Sequence, residues 1–170
     1  MSEITKEQAG SARIPPFLDM IAWSEGTSTS KYTKDRGYDV IVGGVSTPPG
    51  PFPKVFTSYA DHPNIRVTVN KSGLVSTAAG RYQQLYRYWP AYKKQLRLAD
   101  FGPLNQDFLA IQLIREQKAL DDVREGRIAE AIAKCNNIWA SFYGSPYGQR
   151  THPLEDMLAT YKVFGGTLAE

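Results

Sequence analysis

Four of the eight residues in STPPGPFP, positions 46–53, are proline. Each proline fixes its own φ and lacks an amide hydrogen, so neither a helix nor a central strand can pass through this stretch. It must be a loop, and the segments on either side have to be built separately. Ahead of it, IPPFLDMIAWSEG reads as a helix. Pro15 and Pro16 sit where the first helical amides lack partners anyway, Phe17, Leu18, Ile21 and Ala22 share one face, and Gly26 is a suitable stop. Between that helix and the loop, residues 38–42 of GYDVIVGG form a β-branched run bounded by glycines, and VFTSY and IRVTV follow the loop. These runs predict a small antiparallel sheet over about residues 38–69.

The remainder reads as helical. Tyr82, Leu85, Tyr86 and Trp89 recur at i, i+3, i+4 and i+7, with Pro90 expected to break or kink the element and AYKKQLRL to continue as another. Leu104 to Ala119 carries a less regular stripe. Ile128, Ala131, Ile132, Cys135, Ile138 and Trp139 form the cleanest helical face in the chain, and Leu154, Met157, Leu158 and Tyr161 give a last helix stopped by Gly165 and Gly166. The fold class is therefore α+β, mostly helical with a small sheet after the first helix. Residues 1–16 are expected as an N-terminal arm, loose up to about residue 13, and 17–170 as one catalytic domain. At 170 residues the chain can bury a sizeable core.

Charge and cysteine count narrow the function classes. The net charge of +3 suits an anionic polymer surface but is too small to argue for nucleic acid. A single cysteine, Cys135, on an apolar helical face reads as a buried thiol and allows no internal disulfide. The two histidines, His62 and His152, are each followed by proline and make no metal-ligand spacing with each other or with Cys135, so no metal or cofactor is expected. His62 is expected to support a turn. The opening MSEITKEQAGSARIPP is polar, and the first apolar run is too short to span a bilayer, so no export signal is read and the chain is expected to accumulate in the cytoplasm of the cell that makes it.

Glu25 is the candidate for chemistry. A carboxylate at a helix C-terminus faces the negative end of the macrodipole, and neighbouring aromatic bulk such as Trp23 desolvates it. Both effects favour the protonated form, which can donate a proton to a leaving group. The alternative is a solvated helix-end residue. Three further stretches bear on the choice: GYDVIVGG, residues 37–44; STAAGRYQ, residues 76–83; and NIWASFYGSPYGQ, residues 137–149. Small residues let a bulky ligand approach the backbone, and tyrosine faces with amide side chains suit a sugar. Singly, each has a plain structural reading. Tyr82 and Trp139 also fall on core stripes, and the glycine-rich loop can be only a turn.

FLDMIAWSEGT, GYDVIVGG, YADHPN, STAAGRYQ, CNNIWAS and YGQ occur in this order in the lambda-type phage endolysins, and from about Phe17 to Gly166 the sequence closely resembles that family. The resemblance implies a lysozyme-like fold. It also implies lytic transglycosylase action on the β-1,4 bond between N-acetylmuramic acid and N-acetylglucosamine of peptidoglycan. It places Glu25 as the catalytic acid, Gln83 in the substrate groove with Ser76 and Tyr82 of the same stretch, and Tyr147 and Gln149 in the lower lip of the cleft. Asp39 can face the cleft or support a turn. It further implies a protein made in the host cytoplasm and released to the periplasmic wall by a separate holin with no direct contact. A monomer is expected because nothing in the sequence calls for a partner, and neither membrane nor nucleic acid is expected as one. The proline run, residues 46–54, departs from the family pattern as an insertion.

Three other classes compete. A hydrolytic muramidase on the same fold would use Asp35 or Asp39 as a second carboxylate. A non-catalytic glycan-binding module would keep the groove alone. A nucleic-acid binder would use residues 81–97, which interleave five basic residues with five aromatics, although the helical spacing of the aromatics favours a packed face with solvated charges.

Overall fold

The computed structural model describes all 170 residues. Seven helices and one two-stranded sheet are arranged in two compact units, one formed by residues 1–24 with 110–170 and the other by residues 25–109.

The first unit is helical. α1 (Lys6–Ala9) is closed by a reciprocal capping box between Thr5 and Gln8, so residues expected as a loose arm form a short helix instead. Ile4 is 3% exposed, and the Ser2 amide donates to Asp19 Oδ1 at 2.5 Å, which anchors this segment to α2 (Ile14–Ser24). α2 is buried nearly all round rather than on one face: Ile14, Phe17, Leu18, Met20, Ile21 and Ala22 are all fully buried. A helix apolar on every side has to be a central one. It packs on α7 (Leu154–Val163), whose Met157 and Tyr161 are fully buried, and on α5 (Leu120–Glu125). α6 (Ile128–Cys135) buries the face read from the sequence, with Trp139 following just beyond its end. Cys135 is a free, buried thiol whose pKa burial pushes up to about 12. Asp122 on α5 is buried, and burial opposes its charge. Lys134 at 2.6 Å and Arg127 at 2.7 Å outweigh that and hold its carboxyl below the ordinary range.

The second unit holds the sheet, α3 (Trp89–Gln95) and the start of α4 (Pro103–Glu116). The sheet lies later than expected. β1 (Val67–Thr68) pairs antiparallel with β2 (Val75–Ser76), whereas residues 38–42 form no regular strand. They make single bridges instead, Val40 with Val55 and Ile41 with Ala79, and then tighten into a 3₁₀ turn over Val42–Gly44. The glycine pair explains this. A Cβ on Gly43 would stand 2.6 Å from the Pro53 carbonyl oxygen, and one on Gly44 2.4 Å from that of Lys54. The backbone leaving the proline run lies directly over Gly43–Gly44, where only glycine fits.

The helix expected across residues 82–89 is also absent. Tyr82 and Gln83 occupy a turn, a 3₁₀ segment follows at Tyr86–Tyr88, and α3 begins only at Trp89 with Pro90 in its first turn. Pro90 therefore starts a helix rather than breaking one, as its missing amide allows. Of the spaced residues, Trp89 joins an aromatic cluster with Phe56, His62 and Phe101, edge-to-face to Phe101 at 4.9 Å, Tyr86 reaches the same His62 ring, and Tyr82 packs edge-to-face on Tyr38. Beneath it, Tyr38 and Tyr82 both donate to Asp107 Oδ1, at 2.8 and 2.6 Å, and Gln106 accepts the Arg81 amide while donating to the carbonyls of Tyr38 and Phe101. α4 thus supplies a buried polar hub for the second unit.

Candidate active site

Glu25 follows the last residue of α2 directly and is half-buried. Three contacts within the first unit fix the helix end that carries it. The His152 Nε2–H donates to the Ser24 carbonyl at 3.1 Å, the His152 ring stacks on Trp23 with centroids 4.2 Å apart, and the Ser24 and Ser141 hydroxyls meet at 2.7 Å. The His152 amide in turn donates to the Ser141 carbonyl. The carbonyl of the last α2 residue, the one that precedes Glu25 in the chain, is therefore held. Gly26, at φ +76°, ends the helix as the sequence predicts.

Within the second unit, the residues that follow Glu25 are fastened to the turn that carries Gln83. Buried Thr27 donates through Oγ1 to the Arg81 carbonyl at 2.6 Å, and Ser30 donates to the Gly44 carbonyl at 2.8 Å. Gln83 is left-handed at φ +54°, and its Nε2 is spent on the Gly80 and Val40 carbonyls, at 2.9 and 3.3 Å. Its Oε1 takes no hydrogen bond from the protein and so keeps its full acceptor capacity. Ser76, half-buried at the end of β2, accepts the Ala78 amide through Oγ at 3.1 Å. The bridge between Ile41 and Ala79 brings the GYDVIVGG and STAAGRYQ stretches together.

Two of the selected residues lie inside the protein. Tyr82 is 1% exposed, and burial followed by the adjacent Asp107 carboxylate raises its phenol pKa well above the ordinary value. It carries the turn from within, which is the core-stripe alternative. Asp39 is also buried. Thr33 Oγ1 donates to its Oδ1 at 2.5 Å and the Lys34 amide to its Oδ2 at 2.9 Å, so both oxygens hold the turn over residues 33–39. Asp35 is engaged as well, by Arg36 and by the Tyr59 hydroxyl at 2.7 Å. Burial, then that bond to Asp35, raises the Tyr59 phenol, which stays a donor. Tyr147 and Gln149 belong to the first unit, on the exposed loop between α6 and α7, where the Tyr147 hydroxyl donates to the Asn137 carbonyl at 2.7 Å.

His152, Ser141 and Trp23 form a support the sequence did not disclose. The only signal was a histidine in THP, set against a tryptophan more than a hundred positions earlier, and no local pattern links the two. The hub at Gln106 and Asp107 is legible only as two polar residues breaking an apolar stripe. His62 does support a turn, accepting the Asn64 amide at Nδ1, 3.0 Å away. Burial lowers its pKa, against weaker opposing effects of the Gln84 carbonyl and Asp61.

Residues 15–168 match the family model described as Endolysin. An endolysin of Escherichia phage P2 is 54% identical over 160 residues, covering 92% of this chain and 94% of the relative. An endolysin of Escherichia phage lambda is 50% identical over 155 residues, covering 91% and 92%. Among solved structures, a bacteriophage lambda lysozyme complexed with a chitohexasaccharide superposes with a TM-score of 0.84 at 47% identity, and another lambda lysozyme with 0.81 at 45%, each covering 99% of both chains.

Proposed function

This chain belongs to the endolysin family and has the lysozyme fold, and we propose that it cleaves the MurNAc-β-1,4-GlcNAc bond of peptidoglycan as a lytic transglycosylase with Glu25 as its one catalytic carboxylate. The glycan bound to the lambda lysozyme supports a sugar polymer as substrate. The observation that supports the transglycosylase reading is the state of Asp35 and Asp39, the two carboxylates that a muramidase on this fold would enlist. A hydrolase of this type uses a second carboxylate as base or nucleophile. Asp39 has both oxygens in a turn, and Asp35 is held by Tyr59 and Arg36. A reaction that needs one carboxylate fits what is left.

In that reaction Glu25 starts protonated, favoured by its place directly after the C-terminal, negative end of α2. It donates its proton to the glycosidic oxygen as the C1–O4 bond breaks. Positive charge at C1 is relieved by the substrate's own N-acetyl oxygen. The Glu25 carboxylate then takes the proton from the muramyl O6 as O6 bonds to C1. Glu25 is regenerated, the product is a 1,6-anhydro-muramyl end, and no water is consumed. Gln83 Oε1, Ser76, Tyr147 and Gln149 hold the sugars, while Tyr82 and Asp39 act indirectly by shaping the turns. His152, Trp23 and Ser141 are positioning residues for the Glu25 backbone. The enzyme acts as a monomer, reaching the wall from the host cytoplasm after a holin opens the membrane. No helix of the chain is long and apolar enough to cross one itself.

The test is mass spectrometry of peptidoglycan digested by the wild type and by Glu25→Gln. Muropeptides one water lighter than hydrolysis products, absent with the variant, are expected. Hydrated reducing ends would leave the muramidase, with Asp35 or Asp39 to mutate next. Full activity of Glu25→Gln would remove Glu25 from the mechanism.

A further inference from the structure

The second unit carries an open groove of about 470 Å³ that none of the proposed chemistry uses. Its apolar wall comes from Tyr86, Pro90 and Leu98, and its charged rim from Asp61, Lys93 and Lys94. The volume is that of a small-molecule site. Asp61 is built into the rim asymmetrically. The Trp89 indole N–H at 2.6 Å, the His62 amide at 3.0 Å and the Lys93 ammonium at 3.3 Å all fall on Oδ1. No protein donor falls on Oδ2, and the Asp61 side chain is 56% exposed. The bond from Trp89, foremost, holds Asp61 below the ordinary carboxylate range, so it is fully charged at neutral pH. Lys93 spends one of its three donors on Asp61, and Lys94 is exposed with no ion pair. One free carboxylate oxygen and two ammonium groups therefore stand at the rim of a short apolar groove.

We propose that this groove binds a zwitterionic α-amino-acid group, with the ligand's ammonium on Asp61 Oδ2, its carboxylate on Lys93 and Lys94, and the attached aliphatic chain against Tyr86, Pro90 and Leu98. The charge pattern selects this ligand. A simple anion would leave Asp61 opposing it, and a simple cation would meet two lysines, whereas a group bearing both charges pairs with each. On the function proposed above, on which the choice of source rests, that group is the free amino-acid end of a peptide branch on the wall glycan. The groove would then read the peptide while the site at Glu25 cuts the sugar.

The probe is Nε-acetyl-lysine in its D and L forms, added to the ¹⁵N-labelled full chain. The Trp89 indole N–H, bonded to Asp61, is the reporter. A saturable shift of that signal by one or both forms is expected. Binding should be at least tenfold weaker once the probe's α-amine is acetylated, and equally weakened once its α-carboxyl is amidated. The double variant Lys93→Gln/Lys94→Gln, which leaves Asp61 and Trp89 in place, should weaken binding of the unblocked probe at least tenfold. Asp61→Asn should do the same but also removes a partner of Trp89. In a cleavage assay the wild type should prefer glycan bearing its peptides over peptide-free glycan, and the lysine double variant should bring that ratio close to one. No saturable shift, or blocked probes binding as well as the free one, would overturn the proposal. Wall cleavage without probe binding refutes the groove alone. Probe binding without wall cleavage upholds the groove and refutes the function from which its source was taken.

Discussion

Replacing Tyr82 by phenylalanine separates two roles that one tyrosine in GRYQ can play. The substitution removes only a hydroxyl whose oxygen lies 2.6 Å from Asp107 Oδ1, beneath a side chain 1% exposed. A hydrogen bond to a charged acceptor contributes about 1.5–3 kcal/mol, and leaving a buried acceptor short of a donor keeps the loss near the upper part of that range. The Tyr38 hydroxyl still donates to the same oxygen at 2.8 Å, which tempers the loss. The expected cost is about 2 kcal/mol, or about 4–8 °C in Tm for a chain of this size. Urea denaturation followed by circular dichroism gives the first number, and calorimetry the second. Tyr38→Phe should cost a similar amount. The double variant should cost more than the sum by about 0.5–3 kcal/mol, because the carboxylate then loses both phenols. Wall-lysis activity of Tyr82→Phe, measured well below its Tm, should stay within about twofold of wild type, since a fully buried hydroxyl touches no substrate. A tenfold loss of activity with stability changed by less than about 0.5 kcal/mol would refute this reasoning and return Tyr82 to the substrate groove.

Three further outcomes follow from the structure. The lowered His62 pKa means that the unfolded chain, titrating near about pH 6.5, takes up a proton more readily than the folded one. Its contribution to stability is complete above that pH and declines as pH falls below it, so the urea midpoint should drop between pH 7.5 and 5, and His62→Gln should flatten the dependence. Gly44→Ala puts a Cβ 2.4 Å from the Lys54 carbonyl oxygen and 2.9 Å from Val40 Cγ1, forcing apart the pair in which Ile41 N–H donates to Lys54 O. It should cost about 1–3 kcal/mol in the same denaturation assay, and an unchanged midpoint would show that the loop gives way freely. Cys135, buried with its thiol pushed up to about 12, should resist a thiol reagent at pH 8 in the folded protein and react fully in urea. Rapid labelling under native conditions would contradict its burial.

What could be read ahead of the structure follows from the range of the interactions involved. The helices of the first unit were legible because an amphipathic repeat is local: α7 lies where its apolar spacing put it, α6 starts at Ile128 as expected but ends at Cys135, short of Ile138 and Trp139 on the same stripe, and Pro15 and Gly26 bracket α2. The same logic misled at residues 82–89. There the spaced side chains serve different neighbours, Tyr82 meeting the Tyr38 ring and Asp107, and Trp89 the ring of Phe101, and the left-handed residue at Gln83 with Pro90 in the first turn of α3 keeps the backbone non-helical. The β-branched run at residues 38–42 likewise looked like a strand, and it buries its side chains as one. Its partners, Val55 and Ala79, give it only single bridges. At the site, the WSEG run marked Glu25 as a carboxylate at a helix end with no help from the rest of the chain.

The sequence by itself determined the fold class, the family and the position of Glu25, because helical periodicity, proline and glycine placement and long ordered motifs all act between near neighbours or along the written order. Only the tertiary structure decided which polar residues are free to act. Tyr82 stands next to Gln83 in one motif, yet its hydroxyl is consumed by Asp107, 25 residues on, while Gln83 keeps an unused oxygen. His152, 128 residues from Ser24, is brought against the helix end that carries Glu25. A side chain's availability depends on which donors and acceptors burial brings to it. Burial joins residues far apart in the chain, so no local pattern records it.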